Sequence, residues 1–134
     1  MAKINSIQEV LTKQFLSDWL ATATCGSFWC ECETHKDTSD EVYNKAKENN
    51  DWREDKWADI LLNGGSLNVI DVEEAEDGNE EAEHKMTLED IEKALVPFML
   101  NYPSQWAAIK DETMDLYDAD AFLQFVIFGD VIYG

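Results

Sequence analysis

Four residues with metal-ligand chemistry crowd one short stretch: Cys25, Cys30, Cys32 and His35. Thiolate and imidazole are the ligands zinc prefers, and four of them suit a tetrahedral site. The spacing, C-x4-C-x-C-x2-H, argues against it. Structural zinc sites pair their ligands in C-x2-C knuckles, with the second pair far along the chain. Cys30 and Cys32 read as strand positions i and i+2, which holds their sulfurs about 7 Å apart on one face. Two ligands of one ion need a closer approach. The expectation is buried thiols behaving as small hydrophobes, with no metal and no cofactor.

The second concentration is acidic. From Asp71 to Glu92 the chain reads DVEEAEDGNEEAEHKMTLEDIE. An EF-hand loop places glycine at its sixth position. With Gly78 there, Ala75 falls third and His84 twelfth, and neither supplies the required carboxylate. An EF-hand is excluded. Nucleophilic catalysis has as little support: the two histidines, His35 and His84, sit in no nucleophile motif. Asn63-Gly64-Gly65 lacks the rest of a phosphate-cradling loop. Carboxylate pairs abound and none is favoured as an acid–base pair. The expectation is a protein that is not an enzyme.

The acidic run belongs to a chain with a formal charge of −19 over 134 residues. Such a surface repels nucleic acid and anionic membrane, and attracts basic proteins in a salt-sensitive way. Arg53 is the only arginine, which also argues against direct reading of DNA by arginine forks. Hydrophobic residues at 45% and aromatics at 11% argue for a folded core. The N-terminus has no signal-peptide pattern and no run reaches a membrane span. Three cysteines cannot all pair, so reduced thiols in a soluble, cytoplasmic protein are expected.

The elements that must carry these residues follow from periodicity. Ser6-x-x-Glu9 spells a capping box ahead of Ile7, Val10, Leu11, Phe15, Trp19, Leu20 and Ala23, predicting a helix over 7–23 that ends at Cys25-Gly26. Residues 27–33 alternate, with Phe28, Cys30 and Cys32 on one side and Trp29, Glu31 and Glu33 on the other, as in a half-buried strand. Segment 34–65 reads as an insertion or loosely packed stretch, with helical potential at 41–47 and 51–62. Residues 66–73 form the best strand signal. Asp77-Gly78-Asn79 is hairpin chemistry, and 80–86 the returning strand. Thr87-x-x-Asp90 caps a helix that Pro97 should kink or split. A short helix around Trp106 and a final helix capped by Asp118 lead to an apolar end that packs on the core. Trp19, Trp29, Trp57 and Trp106 suit that core. The whole predicts one α+β domain: a small antiparallel sheet of two to four strands packed against an N-terminal helix and C-terminal helices.

The stretch from Asp118 to Gly134, DADAFLQFVIFGDVIYG, resembles the ending of small acidic proteins encoded by tailed phages and prophages. Gly26-Ser-Phe-Trp29 is similar to their Gly-x-x-Trp strand, and the order of elements matches as well. The resemblance covers the first helix and strand and then 66–134; Pro97 and segment 34–65 depart from it. It implies a phage accessory protein acting in the host cytoplasm, and carries no assigned activity.

Together these readings predict a non-enzymatic inhibitor. It presents carboxylates where DNA presents phosphates and so occupies a basic host defence or regulatory protein. The contact candidates are Asp71, Glu73, Glu74, Glu76, Asp77, Glu80, Glu81 and Glu83, with strand rows such as Glu74 and Glu76, or Glu81 and Glu83, spaced like phosphates. Trp52, flanked by charges, has the composition of an interface anchor. No direct nucleic-acid or membrane contact is expected. Apolar surface leaves homo-oligomers open, against the repulsion of the net charge. The alternative is a sequestering or accessory protein with an aromatic ligand pocket, its acidity incidental.

Overall fold

A computed structural model describes residues 9–25, 27–76 and 82–133. Within these, three antiparallel strands, β1 (Cys30–Thr34), β2 (Ser66–Asp71) and β3 (Glu83–Thr87), lie in the order β1-β2-β3. Helix α1 (Lys13–Thr24) precedes the sheet. Helices α2 (Asp40–Asn49) and α3 (Arg53–Leu62) separate β1 from β2, and α4 (Val72–Glu76) leads out of β2. Helices α5 (Leu88–Asn101), α6 (Pro103–Lys110) and α7 (Leu116–Phe128) follow β3. The architecture is α+β.

Helix α1 starts where Thr12 accepts a hydrogen bond from the Phe15 amide at 3.1 Å. The helix expected over 7–23 is therefore interrupted at Leu11 and Thr12, with Glu9 and Val10 helical before the break; residues 1–8 and Gly26 lie outside the described residues. Leu16, Trp19, Leu20 and Ala23 are buried and pack α1 between α3 and α7. Trp19 joins the two ends of the chain: its indole donates to the Ala119 carbonyl at 3.0 Å, and its ring meets Phe122 at 4.9 Å. Trp29, Trp57 and Trp106 are buried too.

Segment 34–65 divides in two. Helix α2 buries only Ala46 fully, with Val42 packed against the core beside it, and polar ties add to this hold: Asn50 donates to Asp59 at 2.6 Å and Lys13 reaches both. Helix α3 buries Trp57, Ala58, Ile60 and Leu61 in the core, so this half of the segment is not loosely packed. The turn after α3 returns the chain to β2 at close quarters. A Cβ on Gly65 would lie 2.6 Å from Ile60 Cγ2 and 3.0 Å from the Ile60 carbonyl oxygen.

Three local expectations change. Phe28 is exposed, not inward with Cys30 and Cys32, because β1 begins only at Cys30. Helix α5 runs through Pro97 without splitting. The final helix is capped by Asp115, with Asp118 as its reciprocal partner three residues on. The apolar end packs as expected. Gly129, in the left-handed conformation at φ 77°, turns the chain, and the buried Gln124 holds it. Gln124 Oε1 accepts from the Ile132 and Tyr133 amides at 2.9 and 2.8 Å.

Gly65→Ala should destabilise the fold by about 1–3 kcal/mol through overpacking, read as a lower urea midpoint. Gly64→Ala, strained at φ +89° but with open space around its Cβ position, should lose about 1 kcal/mol.

Candidate functional site

The strand register decides which carboxylates share a surface. Directly opposed residues point to the same side, so Cys32, Val69 and His84 form one row of the core face, and Thr34, Leu67 and Met86 another. The opposite face carries the rows Glu31–Ile70–Glu83 and Glu33–Asn68–Lys85. Glu31, Glu33, Glu83 and Lys85 are exposed. Along β1 the two glutamates stand about 7 Å apart, and Glu83 lies about 10 Å across the sheet from Glu31.

The polar chemistry of this open face is partly spent. Asn68 is buried between its neighbours and donates to Glu83 Oε1 at 2.6 Å. Among the described residues its buried Oδ1 has no hydrogen-bond partner. Lys85 reaches Asp37 at 3.1 Å, and that hydrogen bond holds the Asp37 carboxyl below its ordinary range. The lysine of the face is thereby paired, and Glu31 and Glu33 set its sign.

The acidic connection from β2 to β3 is not a tight hairpin. Asp71 ends β2 with its side chain fully buried, and its Oδ1 accepts from the Glu73 and Glu74 amides at 3.0 and 3.1 Å. This captures the chain into α4, so Glu74 and Glu76 belong to a helix and not to a strand row. Asp71 Oδ2 accepts from the Tyr133 hydroxyl at 2.6 Å. Asp71 is thus an internal anchor and no contact residue. Glu73 is exposed and Glu74 half-buried. Asp77, Glu80 and Glu81 lie outside the described residues, and with Glu81 the second expected row. Glu31, Glu33 and Asn68 join the site instead. The alternation of 27–33 already marked the two glutamates, but as the wet side of a strand. Trp52 is 73% exposed just ahead of α3.

The four sequence candidates for metal do not converge. Cys25 is exposed. Burial pushes the Cys30 thiol up to about 11 and the Cys32 thiol to about 12, which opposes the thiolate a metal needs. His35 Nδ1 accepts from the Asp37 amide at 3.0 Å, closing a turn. Among the described residues no group of three or more His, Cys, Asp or Glu is placed to hold a metal ion. The other histidine, His84, is on the core face with its Nε2 unpartnered and its ring edge-on to Phe128 at 5.3 Å. Among the described residues no helix is long and apolar enough to cross a membrane.

Comparison with known proteins finds no matching family, curated protein or solved structure.

The hydrogen bond to Asp71, helped by burial and the charges of Asp71, Glu74 and Glu73, pushes the Tyr133 phenol far above its ordinary range. A phenol held neutral in the fold stabilises it fully below the unfolded pKa of about 10, and that contribution fades as pH rises beyond it. Tyr133→Phe should therefore cost about 1–3 kcal/mol near neutrality. The gap to the unsubstituted protein should narrow in denaturant melts above about pH 10.

Proposed function

We propose that this protein is a non-enzymatic inhibitor whose open sheet face binds a basic, nucleic-acid-binding protein in place of DNA. The reading rests chiefly on the row of Glu31 and Glu33 along β1, faced by Glu83 from β3. Its spacing of about 7 Å is of the order of that between neighbouring phosphates on a nucleic-acid strand. The lysine in this face is already paired with Asp37. Exposed Glu73 extends that field beyond the end of β2.

A net charge of −19 accelerates encounter with a cationic partner and excludes nucleic acid itself. The rigid sheet does the rest, since a row held at fixed spacing engages a row of cations without first being ordered. In the setting that the C-terminal resemblance implies, the partner is a host defence or regulatory protein in the cytoplasm.

Immobilised protein exposed to bacterial lysate should retain basic DNA-binding proteins, and duplex DNA should displace them. Replacing Glu31, Glu33 and Glu83 together with Gln should weaken the purified interaction about ten-fold or more at low salt. Raising the salt should weaken the unsubstituted complex similarly. Retention indifferent to both DNA and the triple substitution contradicts the reading.

A further inference from the structure

Beside the α4 end of the sheet, a groove of about 400 Å³ runs between the segment before β1, helices α6 and α7, and the C-terminal tail. Its walls are aromatic: Phe28, Tyr102, Tyr117 and Tyr133. Phe28 and Tyr133 meet at 80° with ring centres 6.2 Å apart, which makes a corner with ring surface on two sides. Tyr117 is 78% exposed and Phe28 57%, so their ring surface is open to a ligand.

The groove is also negative. Asp120 lines it, and among the described lining residues none is basic. Each Asp120 oxygen already accepts one bond, from the Trp29 indole at 2.6 Å and from Gln124 at 2.7 Å. These bonds fix the carboxylate and leave it lone pairs for a further donor. The Tyr102 hydroxyl donates to Asp130 at 2.7 Å and the Tyr133 hydroxyl to Asp71 at 2.6 Å. A phenol donating to a carboxylate gains electron density in its ring, and a richer ring face attracts a cation more strongly. Aromatic walls, a fixed carboxylate and no competing cation make a receptor for an organic cation rather than for a neutral apolar group.

We propose that the groove bounded by Phe28, Tyr102, Tyr117 and Tyr133, with Asp120 in its wall, receives an arginine side chain of the basic partner. This rests on the basic-partner reading of the sheet face and adds a pocket to it. A guanidinium fits better than an ammonium. It is planar, stacks on a ring face, is weakly hydrated, and keeps edge N–H groups free for the carboxylate. Tyr133 ties the two surfaces together, since Glu73 and Glu74 of α4 lie close enough for their charge to bear on its hydroxyl.

The test uses the whole chain and three peptides, acetyl-Ala-X-Ala-amide with X as arginine, lysine or citrulline. Binding is followed by NMR at low salt through the indole N–H of Trp29, which sits on Asp120. The arginine peptide should bind best and its uncharged citrulline analogue weakest. Phe28→Ala and Tyr117→Ala, both at exposed positions, should each weaken arginine binding about two- to five-fold. Asp120→Asn should weaken it roughly ten-fold, with unchanged far-UV CD confirming that each variant folds. Replacing Glu31, Glu33 and Glu83 with Gln should alter it less than about two-fold. Citrulline or lysine binding as well as arginine overturns the assignment. So does arginine binding that survives Phe28→Ala with Tyr117→Ala. If those results come while the sheet-face substitutions still abolish capture of a basic protein, the groove is wrong and the face stands. If the arginine peptide binds but no basic protein is captured through the sheet, the groove stands without the face.

Discussion

Asp71 is the constraint on which the arrangement turns. A carboxylate buried alone costs several kcal/mol. Here it accepts two backbone amides at the start of α4 and the Tyr133 hydroxyl. Three bonds to a charged acceptor, each worth about 1.5–3 kcal/mol, roughly offset that cost. Their geometric consequence is larger than their net energy. They stop β2, turn the start of the acidic connection into a helix, and fix the C-terminal tail against the end of the sheet. Gln124, with both amide atoms engaged, grips the same tail from α7.

A protein of such charge must fold against its own repulsion, and the distribution of its carboxylates shows how. Several are absorbed into local structure. Asp90 and Asp118 close capping boxes, Asp59 accepts from Asn50 and Lys13, and Asp55 accepts from Ser17 at 2.6 Å. Those on the open sheet face are different: Glu31 and Glu33 project from a strand whose other side is core. Backbone pairing holds them at a distance where their repulsion is tolerated but not relieved. An approaching cationic surface relieves it, which is the physical reason for expecting a basic partner there.

Much of this was legible locally. The box of Thr87 and Asp90, the strand within the alternation of 27–33, the four buried tryptophans and the packed terminus all follow from spacing and composition. The misreadings have a common cause. Asp115 and Asp118 stand three apart, and the sequence alone does not say which lies outside the helix; the preceding loop decides. Val72 and Glu73 continue the alternation of β2, yet Asp71 captures the amides of Glu73 and Glu74. That arrangement is stabilised by Tyr133, far along the chain. The aromatic groove draws on Phe28, Tyr102, Tyr117 and Tyr133, which only the folded chain brings together. The acidic run was visible as composition, but that Glu31 and Glu33 share one sheet face with Glu83 follows only from the strand register.

On the proposed function, the open sheet face is where a basic partner sits. Carbodiimide labelling of carboxylates, read residue by residue by mass spectrometry on the free protein and on its complex with a captured DNA-binding protein, addresses it most directly. Glu31, Glu33, Glu73 and Glu83 should lose labelling in the complex, while Asp18 on α1 and Glu112 after α6 keep theirs. Protection of Asp18 or Glu112 with Glu31 and Glu33 still labelled would place the partner elsewhere and contradict the proposed function.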